Sequence, residues 1–442
     1  MLIQFSVKNY KCFKEEAKLS MVASNYDRTT RWTDNVIEVP KFNLNLLRSA
    51  VIYGANASGK SKLLDAIQFM QRFILSSQKD SQVGEPIKTE PFKLNTATEN
   101  EPSLFELNFI IDNELFRYGF EVTQEEVVSE WLYHRPNTKE VELFYRDYQS
   151  FDIHPKQKKL KLLASNDMVR NNALLLSVAA QNNDVLAIKI LTWVRLHFNI
   201  LTEDSRFLGY SISKLNEAES KREILQFLKN ADFNIVDLKP VVVNAEELPN
   251  EMPKKLKELL VKKINEDGGS VFSDVSVLHK KYDADNKAVG IENFSLDDDE
   301  SLGTKRFFAL SGPIINTLKE GKTLIIDELD AKLHPNLVSK IISFFNATDT
   351  NSHNAQLIFN THNQSLMSSE LFRRDQVWFT KKDRYGAVTL YSLDSFKTDN
   401  GEKARNKEDY ETNYARGKYG AIPYLGDFNA SFLTEKEIAH EE

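Results

Sequence analysis

Residues 54–61 read Gly-Ala-Asn-Ala-Ser-Gly-Lys-Ser. Gly54, Gly59, Lys60 and Ser61 complete the spacing G-x4-G-K-[ST], which builds a phosphate cradle. Glycines let backbone N–H groups curl around phosphate oxygens. A lysine at the Lys60 position reaches the β- and γ-phosphates, and a hydroxyl at the Ser61 position joins the shell of Mg²⁺. Asn56, Ser58 and Lys62 lie within or beside the loop and count with it as nucleotide-binding candidates. A second constellation lies far downstream, where Asp327 and Glu328 follow the apolar run Thr323-Leu324-Ile325-Ile326. An aspartate ending a strand can hold Mg²⁺ through water, and a glutamate beside it can orient the attacking water. Either feature alone has a structural reading, as a turn or as a common acidic pair. Together they point to ATP and Mg²⁺ as ligands and to hydrolysis of the terminal phosphate. Lys60 would stabilise charge, Ser61 and Asp327 would hold the metal, and Glu328 would place the water.

These residues need elements to position them. Ser49 to Tyr53 reads as a short buried strand entering the glycine turn. Leu63, Leu64, Ile67, Met70, Phe73 and Ile74 then recur at helical spacing. Strand, glycine turn and helix open an α/β domain. An earlier strand is marked by Ile3, Phe5 and Val7. Leu104 to Ile111 and Leu115 to Val122 alternate about the turn Asp112–Asn113, and Val127 to Tyr133 and Glu140 to Tyr145 continue the pattern. This predicts an antiparallel β subdomain. Residues 184–265 read as mostly helical, with helices expected at Val185 to Phe198, Ser213 to Lys229 and Pro253 to Asn265. From about residue 290 the α/β pattern returns, with strands ending at Asp327–Glu328 and, after Gln356 to Thr361, at His362. Polar residues ending the strands of a parallel sheet lie along its carboxyl edge, where ligands bind. The expected fold class is α/β, with a mainly parallel sheet, an antiparallel β subdomain and a helical insertion. The expected divisions are 1–180 with the loop, 181–290 as the insertion, and 291–442 with the acidic strand end.

Composition sets outer limits. The chain has 442 residues, 41 % of them hydrophobic and 27 % charged, enough for a packed core and against global disorder. Fifty-seven basic residues against 64 acidic ones give a net charge of −7, so any nucleic-acid contact must come from a local patch. Cys12 is the one cysteine, which excludes a disulfide framework and multi-cysteine metal sites. The N-terminus alternates apolar and polar residues unlike a signal peptide, and the near-apolar run Ala173 to Ala180 is too short to span a bilayer. A soluble, cytoplasmic protein without a membrane partner is expected.

The order of the motifs narrows the class. Asp327 lies 327 − 61 = 266 residues after Ser61. Glu300-Ser301-Leu302-Gly303-Thr304 precedes the acidic strand end, and Thr361-His362-Asn363 follows it. Phosphate loop, long insertion, serine–glycine segment, acidic pair and histidine, in that order, resemble the ABC-type ATPase heads, including the SMC and RecF proteins. The stretches FSVKNYKCF, GANASGKSKLLDAI, ESLGTKR, DELDAKLHP, DQVWFTKKD and YARGKYGAIP are similar to bacterial ATPases of the RloA and abortive-infection type, relatives of the ATPase of the PARIS anti-phage system.

The resemblance implies that Ser301 and Gly303 form a signature that contacts the γ-phosphate held by a second copy, giving a homodimer or higher homo-oligomer. A donor from the facing subunit would complete the charge shell as an arginine finger does. It implies His362 as a switch histidine, counted with Glu328 and Lys60 as catalytic, and Gln181 as a metal-side residue with Ser61 and Asp327. Lys11 is a further candidate for a phosphate or adenine contact. It also implies a nucleotide-gated sensor or scaffold that controls a separate effector protein, a nuclease among the candidates, in anti-phage defence. The alternative is a DNA-binding repair or recombination clamp of RecF or SMC type. Lys156, Lys158, Lys159, Lys161 and the lysines of 254–263 are the basic groups available to it. A small-molecule kinase is a third reading, against which the long insertion and the serine–glycine segment both argue.

Three departures matter. His334 stands where transporter and SMC heads usually carry an interface-crossing aspartate, as it also does in the overcoming-lysogenization-defect nucleases. Those nucleases carry a toprim domain after the ATPase. Here 442 − 378 = 64 residues follow Trp378, and no cleavage of nucleic acid by this chain is expected. Thr380-Lys381-Lys382-Asp383 matches the T-K-x-D pattern by which GTPases read guanine, but Asp327 is followed by Glu328-Leu329-Asp330 with no glycine, so ATP is expected.

Overall fold

The computed structural model describes residues 1–80, 84–202, 204–231, 233–244, 270–397 and 408–422. A six-stranded sheet holds, in order, Phe198–Leu201, Thr323–Ile326, Gln356–Asn360, Ser49–Gly54, Val377–Lys382 and Val388–Ser392. The first five run parallel, and the last pairs antiparallel with its neighbour. Ser49–Gly54, Thr323–Ile326 and Gln356–Asn360 are buried throughout. A parallel strand covered on both faces needs such an unbroken run rather than alternation.

Successive side chains of these strands enter two different cores, as the two-residue period of a strand requires. Ala50, Ile52, Ile325 and Ile358 pack with Leu63, Leu64 and Ile67 of the helix Lys60–Asp80. Val51, Tyr53, Leu324, Ile326, Leu357 and Phe359 pack with Phe308 and Leu310 of the helix Leu302–Glu320 and with Ile341 and Ile342 of the helix Pro335–Asn346. The phosphate loop's own helix therefore covers one face, and the helices that flank the acidic strand cover the other. The register pairs Ile326 with Phe359 and Asn360 with Ile52. Asp327, one residue on, therefore lies level with Asn360 at the carboxyl edge.

A seven-stranded antiparallel sheet holds Ser150–Ile153, Val141–Asp147, Val127–Arg135, Glu114–Val122, Ser103–Ile111, Leu2–Lys8 and Ala17–Ser20, in that order. It is the expected β subdomain, joined by the first strand of the chain. Asp112 and Asn113 turn its central hairpin with φ of 47° and 64°, left-handed values that these two residue types tolerate. Two fully buried charges lock this sheet to the helix Leu175–Gln181. The Glu130 carboxylate accepts from Leu175 N at 2.6 Å, Leu176 N at 3.0 Å and Tyr118 OH at 2.9 Å, while Arg146 donates to the Ala173 carbonyl at 2.6 Å.

The expectation that 181–290 is mainly helical needs correction. Helices Val185–Leu196, Asp204–Lys214 and Ala218–Lys229 are present, but Phe198–Leu201 is the edge strand of the central sheet. Ile235–Asn244, Ser270–Tyr282 and Ala288–Ser295 form a further antiparallel sheet. The alternation of Val275 and Val277 with Asp274 and Ser276 carries the strand period, and both valines are fully buried. The helix expected at Pro253 to Asn265, with its lysines, lies outside the described residues. Among the described residues no helix is long and apolar enough to cross a membrane.

Candidate nucleotide site

The strand Ser49–Gly54 runs into the loop, and the helix Lys60–Asp80 starts at Lys60. The two glycines are needed for different reasons. A Cβ on Gly54 would collide with Thr380 Oγ1 and Ser58 Oγ. Gly59 has φ +101°, and its Cβ would stand 3.0 Å from Cys12 Sγ. Ser58 and Lys60 are buried, Asn56 is exposed, and Lys62 turns outward to Asp65 at 3.1 Å. Lys60 Nζ donates to the carbonyls of Gly54 at 2.8 Å and Ala55 at 2.9 Å. Burial pushes the Lys60 ammonium down to about 8, against the pull of Glu328, Asp327 and Asp330. Carbonyl dipoles compensate a buried ammonium only in part, so an arriving phosphate would be bound favourably.

Ser61 Oγ donates to Asp327 Oδ1 at 3.1 Å, joining the two motifs. Mg²⁺ takes few protein oxygens and fills its octahedron with water and phosphate oxygens. A hydroxyl and a carboxylate side by side at the foot of a phosphate loop suit that demand. Among the described residues no group of three or more His, Cys, Asp or Glu is placed to hold a metal. One hydroxyl and one carboxylate in contact fit an ion that brings most of its shell as water and phosphate oxygens.

Glu328 is held by its backbone. Its φ is 51°, a left-handed value unusual for glutamate. Its N–H donates to Asn360 Oδ1 at 2.6 Å, while Asn360 Nδ2 donates to Asp327 Oδ1. Arg306 Nη2 donates to the Glu328 carbonyl at 3.2 Å and to the Asp327 carbonyl at 3.4 Å. Such conformations persist where the surroundings over-determine them. Arg306 is buried, and desolvation lowers its pKa while Glu328, Asp327 and Asp330 oppose that shift. The Glu328 side chain is exposed and open to an incoming ligand.

The remaining expected residues fall as follows. Ser301 caps the helix Leu302–Glu320, its Oγ accepting from Thr304 N at 3.1 Å, and it is exposed. A Cβ on Gly303 would stand 3.0 Å from the Lys332 carbonyl, so the helix start packs on the loop after the acidic pair. Arg306 lies on the same helix, which links Ser301 to the Glu328 backbone. His362 is exposed just beyond the strand Gln356–Asn360. His334 caps the next helix, its Nδ1 accepting from Asn336 N at 3.2 Å.

Two candidates, Gln181 and Lys11, fall differently from what was expected, and the guanine-like pattern can be placed as well. Gln181, implied by the resemblance as a metal-side residue, ends the helix Leu175–Gln181 and is exposed. That helix runs antiparallel to Lys60–Asp80, because Leu174 N bonds Ser77 Oγ and Ser177 Oγ bonds the Ile74 carbonyl. Gln181 therefore sits level with about Met70, roughly 13 Å along the helix from Ser61 at 1.5 Å per residue. The structure does not bring it to the metal side. Lys11 is engaged by Asp65 at 2.9 Å and Glu90 at 3.6 Å. Thr380 of the guanine-like pattern abuts the loop, 2.7 Å from Ser58 Oγ. Asp383 is occupied within its own turn, where its Oδ1 accepts from Tyr385 N at 2.8 Å and Ala387 N at 2.9 Å. Lys156, Lys158, Lys159 and Lys161 are exposed. Sequence reasoning missed Asn360 and Arg306, and it named Thr380 only for the guanine-like pattern and not for its contact with the loop. Of these, Asn360 carried a signal, an amide ending an apolar strand just before Thr361-His362.

A parallel sheet with this loop and an acidic strand end beside it defines a P-loop nucleotide-binding domain. The model of the family described as "AAA domain, putative AbiEii toxin, Type IV TA system" matches residues 49–368. This is well over half of the chain, and the chain belongs to that family. The SMC head domain from Thermotoga maritima is a similar solved structure, with 14 % identity and a TM-score of 0.39 over 88 % of this chain and 98 % of that one. A comparison with curated proteins finds no match.

Proposed function

We propose that the protein is a Mg²⁺-dependent ATPase that hydrolyses ATP to ADP and phosphate. The observation that carries this is the junction of Ser61, Asp327, Asn360 and Glu328, which unites two motifs 266 residues apart. The loop amides and Lys60 would bind the phosphates, and Ser61 and Asp327 would hold Mg²⁺, which supplies charge neutralisation between the phosphates. Glu328, fixed by Asn360 and Arg306, would orient the attacking water and accept its proton. Lys60→Ala is expected to lose ATP binding. Glu328→Gln is expected to keep binding and lose turnover, a loss confined to the transition state. Normal turnover by Glu328→Gln would refute the role given to Glu328.

The site closes, in this reading, when Ser301 and Gly303 of a second copy meet the γ-phosphate, with His362 beside it. The exposure of Ser301 at a helix start supports this, since N–H groups and the helix dipole favour a phosphate there. Nucleotide-driven homodimers would then gate a separate effector protein in anti-phage defence of the RloA and PARIS type. The words "putative AbiEii toxin, Type IV TA system" in the family description support that direction. The exposed Lys156, Lys158, Lys159 and Lys161 favour a DNA clamp as second reading. Salt-dependent duplex binding that disappears on reversing those charges would establish it.

A further inference from the structure

Four acids, Asp297, Asp298, Asp299 and Glu300, run directly into the helix start at Ser301. A helix N-terminus carries partial positive charge, and a carboxylate placed there competes with any other anion. Three of these acids are tied elsewhere. Lys305 Nζ binds Asp297 through its carbonyl and, at 3.4 Å, through Oδ1. Asp299 Oδ2 accepts from Ser295 N at 2.7 Å. Glu300, the acid next to the helix, has its Oε1 2.7 Å from His279 Nε2. His279 lies on the strand Ser270–Tyr282 of the inserted sheet. Its ring is fixed edge-on to Phe294, with centroids 5.3 Å apart and planes at 88°. The His279 and Glu300 side chains are mostly buried, at 22 % and 14 % exposure.

We infer that His279 is a positioning residue for the composite site. It holds the Glu300 carboxylate away from the start of the helix Leu302–Glu320, so that a γ-phosphate rather than Glu300 occupies that end. This rests on the reading of Ser301 and Gly303 given above. It makes the inserted sheet part of the reaction machinery, because the residue that clears the helix end belongs to that sheet.

The test uses the full chain and five variants: His279→Ala, His279→Gln, Glu300→Gln, the double variant His279→Ala with Glu300→Gln, and Ser301→Arg. Turnover and Mg-ATP-driven dimerisation are measured for each, with ATP binding to dilute monomer as control. Freeing Glu300 in His279→Ala is expected to lower kcat and dimerisation about tenfold, the order of effect a carboxylate exerts at a helix N-terminus, while monomer binding stays unchanged. His279→Gln keeps a donor and should stay near wild type, as should Glu300→Gln. The double variant should recover to the level of Glu300→Gln, a rescue that loss of packing would not allow. Should His279→Ala fail to fold, His279→Asn, whose shorter amide cannot reach Glu300, replaces it with the same expectation. A double variant as slow as the single histidine variant overturns the inference. So does an unaffected His279→Ala beside an inactive Ser301→Arg. An unaffected Ser301→Arg overturns the signature reading itself and this inference with it.

Discussion

Replacing Asn360 with alanine isolates the contribution of the backbone clamp to turnover. The substitution removes the acceptor of the Glu328 N–H and the donor to Asp327 Oδ1. A left-handed φ costs a residue with a Cβ roughly 1–2 kcal/mol, and the part-buried Glu328 N–H left without its acceptor costs about 1–2 kcal/mol. The Arg306 bond to the Glu328 carbonyl remains and offsets about 1 kcal/mol of this. A net bias of about 2 kcal/mol against the poised Glu328 conformation corresponds to roughly a thirtyfold fall in its population. Steady-state ATP hydrolysis should therefore show kcat reduced by about thirtyfold with KM little changed, since the phosphate loop is untouched. Asn360→Asp keeps an acceptor for the Glu328 N–H but sets a second carboxylate against Asp327, so it should instead weaken the response to Mg²⁺. A normal kcat with a raised KM in Asn360→Ala would refute the reasoning, because it would show that Asn360 acts on binding and not on Glu328.

Further expectations follow from the same structure. Lys60 has a pKa of about 8 without nucleotide, and bound phosphates raise it, so binding above pH 8 takes up a proton. ATP affinity measured by calorimetry should be flat below about pH 8 and fall by up to about tenfold per pH unit above it. Lys60→Arg, charged throughout, should flatten that profile. Gly59→Ala must hold a Cβ at φ +101° and 3.0 Å from Cys12 Sγ, so the variant should fold yet lose at least about tenfold in nucleotide affinity. Glu130→Ala leaves Arg146 buried without its carboxylate, 3.7 Å away in the native protein, and should lose about 3–5 kcal/mol in urea denaturation. A loss under about 1 kcal/mol would mean that the backbone carbonyls alone satisfy Arg146.

How much of this was legible in the sequence depended on how local each signal is. The loop of residues 54–61, its strand and its helix are contiguous, and each residue type there answers a local demand of backbone or ligand. Asp327 and Glu328 were legible because a buried parallel strand is an unbroken apolar run with a polar end. The seven-stranded sheet was legible through its alternation and its Asp112–Asn113 turn. The inserted sheet was not, because charged helices precede it and Lys280 and Lys281 interrupt its alternation. The position of Gln181 is not legible, because Ala173 to Ala180 before it is an apolar run whose periodicity does not separate strand from helix. Asn360 and Arg306 act through contacts 32 and 22 residues away in sequence. Only the sheet register and the packing of the Leu302–Glu320 helix bring them to Glu328.

The most direct test of the account is the solution mass of Glu328→Gln with and without Mg-ATP, by sedimentation or light scattering. The account predicts a monomer without nucleotide and a dimer, or a larger closed assembly built from it, with Mg-ATP. The added variant Ser301→Arg should abolish the shift. A Glu328→Gln protein that binds ATP at the loop and remains monomeric would contradict the composite site.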